Sequence, residues 1–347
     1  MMGLIKKGVD KIGFPRMMIF SFLILLTISV PLLNIPFQTT LSQAVVRIGI
    51  NIVLALAMVP SIMCGTGMNY ALPIGIECGL VAGIISCQYN MTGVGGILAA
   101  IAISVPMSIV AGLAYSKLIN RVKGSEMIVS TYVGFSIVSI MCITWIVLPF
   151  DNPAIVWPIG KGLRTTITLE SWYDGALNKL GMFNIFGVQI PTGLIALVSI
   201  ICFAVWLFMR SRLGIRMKAA GSNPRYARSN GVEVDRMRTL GTIISTVLGG
   251  VGIIIYAQGF GFYQLYTAPL MMAFPAIAAV LIGGATPSKV SIFNVILGSI
   301  LFQGMLVLAT PVANVLITAG NFSEVVRTLV MNGMILYALA KMQGGGK

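Results

Sequence analysis

Two features of this sequence are out of keeping with an otherwise apolar chain. The first is Glu77, a carboxylate inside an apolar run one turn after Pro73. An ionisable group in such a place is costly unless it is paired, kept neutral or used. A protonated Glu bonded to a neighbouring helix, a Glu near lipid headgroups, and a Glu in a transport pathway or gate all fit its surroundings. The second is the basic run Arg210–Arg238, RSRLGIRMKAAGSNPRYARSNGVEVDRMR. Arg210, Arg212, Arg216, Lys218, Arg225, Arg228, Arg236 and Arg238 face only Glu233 and Asp235 there. A connector between helices needs about five residues, so a run of this length is expected to be a docking surface.

Catalytic chemistry has little to work with. The chain has no histidine, which removes the commonest general base and transition-metal ligand. Cys64, Cys78, Cys87, Cys142 and Cys202 are scattered through apolar segments and read as small buried hydrophobes, not as a disulfide framework or a metal site. The spacing G-x-x-x-x-G-K-[ST] of a phosphate loop occurs nowhere, and Gly283-Gly-Ala-Thr-Pro-Ser288 does not supply it. A polytopic membrane enzyme is therefore not expected.

Two polar stretches are candidate ligand surfaces. In Cys64-Gly-Thr-Gly-Met-Asn-Tyr-Ala-Leu-Pro73, the glycines and proline break a helix, and broken backbone at membrane depth requires cover from protein or a watery cavity. Asn69 and Tyr70 then face a polar solute or a freed backbone group, or Asn69 simply caps the next helix. Gln258-Gly-Phe-Gly-Phe-Tyr-Gln-Leu-Tyr-Thr267 mixes rings with amides, as a sugar- or nucleoside-facing surface does; an aromatic belt has the same composition. Gln258 and Tyr263 are its candidate contacts.

The elements that must carry these residues follow from composition. Of 347 residues, 57% are hydrophobic and 9% charged, against about 25% charged in soluble proteins. The solvent is a lipid bilayer. With about 20 residues per crossing, ten helical spans fit, near 17–33, 44–63, 71–88, 94–116, 127–149, 190–209, 240–258, 268–283, 290–310 and 322–341. The start of the chain carries no cleavable-signal pattern, so the first apolar run is expected to remain as a helix. With both ends cytoplasmic, 18 of the 23 Lys and Arg fall on inside segments, as the positive-inside rule requires. The others, Arg47, Lys161, Arg164, Lys179 and Arg327, fall on outside segments and their borders. The net charge of +14 is therefore topological, and no nucleic-acid partner is expected. The chain reads as one transmembrane domain, 1–347, with a cytoplasmic N-terminal segment 1–16, a long external loop 150–189 and the cytoplasmic loop 210–239. Ser171–Leu180 suits a short helix at the interface, with Trp157, Trp172 and Tyr173 at headgroup level. Gly79 and Gly83, and the cluster Gly249, Gly250 and Gly252, read as close helix contacts.

The run Lys218-Ala219-Ala220-Gly221, Asn223-Pro224, Ala227 and Gly231-Val232 resembles the cytoplasmic coupling loop of permease subunits of bacterial ABC importers for ribose, other simple sugars and nucleosides, the branched inner-membrane component family. Ala276–Gly284, AIAAVLIGG, is similar to that family's I-A-A-V-x-L-G-G segment. Glu126 lies in a stretch that looks like the nucleoside-type N-E-V-I-x-T run, and Gly67-Met-Asn69 stands where sugar members have G-x-D-L-S. The resemblance implies an all-α polytopic membrane protein of about ten transmembrane helices, with N- and C-termini cytoplasmic and a vitamin-B12-importer-like (type II) ABC permease architecture. It implies a bacterial inner-membrane permease without cofactors of its own, ATP and Mg being bound by a partner ATPase. The implied partners are that ABC ATPase subunit, an extracytoplasmic solute-binding protein, and a second permease copy or a paralogous permease. Lys218–Gly221, Asn223–Arg225, Ala227, Arg228 and Gly231 would contact the ATPase. Asn223-Pro224 can start a helix, and Arg225 and Arg228 would share one face of it. A nucleoside importer of the same family and a self-contained secondary transporter are the alternatives; the latter calls for a second buried acid matching Glu77.

Overall fold

The computed structural model describes residues 14–286, 289–316 and 322–344. Most of the 1–16 segment, Pro287 and Ser288 of the glycine-rich turn, and Lys347 lie outside the described residues. Each of the apolar runs is helical. They are α1 (Phe14–Leu32), α2 (Phe37–Leu56), α4 (Leu72–Gln88), α5 (Gly93–Arg121), α6 (Glu126–Val147), α8 (Thr192–Arg210), α11 (Val234–Phe260), α12 (Ala268–Ile282), α13 (Ile292–Leu316) and α14 (Phe322–Gly344). After a break at Ala57, α2 continues as α3 (Met58–Met63). Among the described residues, six helices are long and apolar enough to cross a membrane: α2 with α3, α5, α6, α8, α11 and α13; the apolar stretches Ile19–Leu32, Leu72–Gln88, Ala268–Ile282 and Val325–Leu336 are shorter.

The connections hold the rest. The 148–191 segment carries β1 (Thr166–Thr168), a single turn α7 (Ala176–Lys179), and the hairpin of β2 (Phe183–Ile185) with β3 (Val188–Ile190). β1 pairs antiparallel with β4 (Phe262–Gln264), aligning Ile167 with Tyr263. The basic run folds into α9 (Arg212–Ser222) and α10 (Pro224–Ser229). One end of the bundle thus bears the strands and the other bears the basic helices, and α11 runs between them.

α11 is the packing hub, seated against α5, α4 and α2. Lipid gives no hydrophobic drive for helices to associate, so they must approach closely enough for dispersion and backbone contacts to hold them. Glycine supplies that approach. A Cβ on Gly75 would collide with the Thr246 carbonyl, and one on Gly79 with Ile253 and the Gly250 backbone. A Cβ on Gly250 would in turn meet the Ser104 and Ser108 hydroxyls of α5 at 2.5 and 2.7 Å. A second seam joins α12 to α13, where Gly283 and Gly298 abut the carbonyls of Asn294 and Ala279.

The strand-bearing end differs from its expected form. Trp172 and Tyr173 are buried rather than placed at headgroup level, and only Ala176–Lys179 of the 171–180 stretch is helical. The cause is the β1–β4 ladder, which draws the segment onto the end of α11. Tyr173 and Tyr263 share a 2.8 Å hydrogen bond between their hydroxyls, and the Gly175 N–H donates to the Gln258 carbonyl at 2.8 Å.

The glycine seam yields a direct test. Gly75→Ala should destabilise the protein by about 1–3 kcal/mol, read as a lower midpoint of thermal unfolding in detergent. Gly95→Ala, in α5 where an added Cβ meets no atom within 4 Å, should leave the midpoint unchanged or raise it.

Candidate functional site

A cavity of about 760 Å³ opens in the strand-bearing half of the molecule. Its walls come from α2, the end of α11, α12, α13 and α14. Ile35, Pro36 and Thr39 lie toward its strand-bearing end, where Gln38 donates to the Phe186 carbonyl and the Gln189 N–H donates to Ser42. On α2 the lining residues are Thr40, Gln43, Arg47, Asn51 and Leu54, at steps of three and four that keep them on one helical face. On α13 Gln303, Thr310 and Asn314 repeat the pattern. The cavity is therefore a largely apolar trough cut into the helices, with a polar stripe along α2 and α13. Its size lies within the range of small-molecule sites, about 300–1,000 Å³.

Arg47 and Arg327 both line this trough, within helices α2 and α14. Arg47 lies ten residues into α2, about 15 Å from the helix start. Its guanidinium carbon sits 3.4 Å from the centroid of the Phe260 ring. Phe260 is itself stacked on Tyr256, with centroids 4.3 Å apart.

The polar residues nominated from sequence lie elsewhere: Asn69, Tyr70, Glu77, Gln258 and Tyr263 are all buried, and none lines the trough. Asn69 donates to the Ser245 hydroxyl at 2.8 Å and accepts from the Ala71 N–H at 3.1 Å and the Tyr115 hydroxyl at 3.4 Å. It serves the freed backbone at the break; the α4 N-cap is Ala71, with no side-chain cap bond. Tyr70 meets Phe274 edge-on. Glu77 has no hydrogen-bond partner for either carboxylate oxygen among the described residues. Gln258 accepts from the Leu177 N–H at 3.3 Å, and Tyr263 is the clamp residue of the β1–β4 end. Asn69, Gln258 and Tyr263 are thus bonded within the fold, while the Tyr70 hydroxyl and the Glu77 carboxylate are buried without a hydrogen-bond partner among the described residues. The signal that finds the trough is a polar stripe at helical spacing within a spanning run, which average hydropathy conceals.

At the basic end, Asn223 caps α10 by accepting from the Tyr226 N–H at 3.0 Å, and Pro224 occupies its first turn. Arg225, Tyr226 and Arg228 are exposed, while Ala227 is buried against the fold. Gly221 closes α9 against the break after α3: a Cβ there would strike the Met63 carbonyl and lie 2.7 Å from the Gly65 nitrogen. Gly65 and Gly67 take positive φ of 79° and 81°, the left-handed conformation that glycine adopts without strain.

Arg238 is not ordinary membrane-flanking charge. It is buried, with Nη2 2.6 Å from Glu126 Oε1, Nε donating to Asn120 Oδ1 at 3.1 Å and Nη1 to the Gly65 carbonyl at 3.4 Å. Asn120 donates back to the Asp235 carbonyl and the Thr239 hydroxyl, and Lys123 pairs with Asp235 at 2.5 Å. The α5–α6 turn, the start of α11 and the α3–α4 break are thereby tied at one point beside α9.

Long apolar helices, a trough with a polar stripe at one end and a capped basic helix rooted in a glycine break at the other are the features of a membrane permease. Residues 17–339 match the family described as branched-chain amino acid transport system / permease component, and the chain belongs to that family. It is 28% identical over 254 residues to the autoinducer 2 import system permease protein LsrC of Yersinia pseudotuberculosis, covering 70% of this chain and 68% of that one. It is 31% identical over 114 residues to the nucleoside ABC transporter permease protein NupB of Lactococcus lactis, covering 32% of this chain and 30% of that one. Among solved structures, the inward-facing conformation of a protein described as a metal-chelate type ABC transporter aligns over 94% of this chain and 99% of its own, at 14% identity and a TM-score of 0.49. The family is one of multi-pass transport components, not of enzymes.

Removing one member of the Arg238–Glu126 pair strands the other in a site with little water. Arg238→Ala should cost about 3 kcal/mol, and adding Glu126→Ala should restore part of that loss. Thermal unfolding of the two single variants and the double variant measures the coupling; strictly additive losses would show that the pair contributes nothing.

Proposed function

We propose that the chain is the membrane-spanning permease subunit of a binding-protein-dependent ABC importer in a bacterial inner membrane, moving a small polar solute of the sugar or nucleoside class. The ten apolar helices then all cross the bilayer, both termini lie in the cytoplasm, and the architecture is of the type II kind. Two copies, or one copy with a paralogous permease, enclose the pathway, and the trough is the part of its wall that this chain supplies. A solute-binding protein delivers cargo at the strand-bearing end. A separate ATPase, which holds the ATP and Mg, docks at the basic end.

The observation that carries this reading is the way α10 is mounted. It is a short, capped helix presenting Arg225, Tyr226 and Arg228 outward. Through α9 it rests on the α3–α4 break by Gly221, backbone against backbone. A push on α10 reaches the spans with little side-chain compliance to absorb it. Lys218–Gly221 and Asn223–Gly231 are the coupling residues in this scheme. Asn69, Tyr70 and Glu77 lie on or beside the break and α4, so they belong to the part that moves, not to the trough wall.

Gly221→Val strains the contact itself. In the purified complex it should abolish solute-stimulated ATP hydrolysis and, because the added side chain meets backbone, lower the unfolding midpoint as well. Charge reversal of Arg225 and Arg228 should reduce co-purification of the ATPase. Unchanged stimulation in Gly221→Val, together with unchanged ATPase recovery in the charge-reversed variant, would refute the assignment of this loop.

A further inference from the structure

We infer that the trough selects a hydroxylated solute carrying an anionic group, a carboxylate or a phosphate, and that Arg47 is the residue that receives it. The inference rests on the permease reading and specifies its substrate.

A guanidinium on a spanning helix is expensive and needs a reason. Arg47 makes no ion pair and donates no side-chain hydrogen bond among the described residues, apart from its face contact with Phe260. That contact holds the cation in place without using its N–H groups. The Phe260–Tyr256 stack fixes the platform, and Asn51 donates to the Arg47 carbonyl at 2.8 Å one turn on. An arginine so braced offers its fork of donors to the cavity, the arrangement that binds carboxylate or phosphate bidentately. Arg327 adds a second positive charge to the same wall, and none of the described lining residues is Asp or Glu. The described lining thus carries positive and no negative side chains.

A neutral sugar or nucleoside does not call for this. Its hydroxyls are matched by amides and hydroxyls alone, and the trough has those in Gln43, Gln303, Asn314 and Thr310. The cation is additional to a polyol-binding set. Together they describe a solute with hydroxyls along its body and a charge at one position, such as a sugar acid or a sugar phosphate.

The test uses the purified permease with its co-purifying subunits in detergent, titrated with D-glucuronate, ribose 5-phosphate, D-ribose, uridine, L-leucine and inorganic phosphate while thermal unfolding is followed. Saturable stabilisation by glucuronate or ribose 5-phosphate, with little from D-ribose or uridine, is the expected result. Which of the two acts identifies the anion. Arg47→Gln should weaken that binding about ten- to hundredfold, and Arg47→Lys should weaken it less. The wild-type comparison of charged with neutral probes stands even if Arg47→Gln fails to fold. Stronger stabilisation by D-ribose or uridine, or no response to either charged sugar, overturns the inference. L-leucine or inorganic phosphate binding as tightly as the charged sugars overturns its hydroxylated half. Recovery of the ATPase with the Arg225 and Arg228 charge-reversed variant is measured without any of these probes, so the permease reading fails or survives separately.

Discussion

Everything in this protein depends on backbones meeting backbones. Inside a bilayer, apolar side chains are as well solvated by lipid as by one another, so a bundle holds only where surfaces fit closely. Here the fit is made by removing side chains. Gly75, Gly79 and Gly250 bring α4, α5 and α11 together, and Gly283 and Gly298 bring α12 and α13 together. The same device recurs at the basic end, where Gly221 meets Gly65. Contacts of this kind have no rotamers to relax into. The bundle is consequently stiff where it is glycine-rich, and its changes of shape must occur at breaks such as Ala57 and Gly65–Gly67.

Polar groups divide into two sets by what surrounds them. Those buried in the scaffold are largely spent on structure: Asn69 bonds across to α11, Tyr263 clamps the strand-bearing end, and Arg238 ties three segments at the basic end. On the trough wall the hydroxyls of Thr40 and Thr310 and the amide of Asn51 bond to backbone carbonyls about one turn earlier. Glu77 fits neither set, being buried without a partner among the described residues.

The division explains what the sequence did and did not reveal. The helical runs were legible because a crossing needs length and apolar composition, both local properties. α10 was legible because Asn223-Pro224 and the flanking glycines are local signals of a helix start and its limits. The trough was not, because Gln43, Arg47 and Asn51 are a minority in an apolar run and acquire meaning only from α12, α13 and α14, far along the chain. Arg238 read as one more charge of the basic docking run because its partner Glu126 is 112 residues away. Trp172 and Tyr173 read as belt aromatics because nothing near them announces the β1–β4 pairing that buries them.

The two faces of α2 carry different duties. Gly49, Ile50 and Leu54 are fitted against Leu194, Gly259 and Gly252, while Gln43, Arg47 and Asn51 look into the trough. Only Leu54 serves both. If the trough carries the solute, the residues that choose cargo and those that hold the bundle together are separate on one and the same helix, so a change of cargo need not pass through a change of assembly.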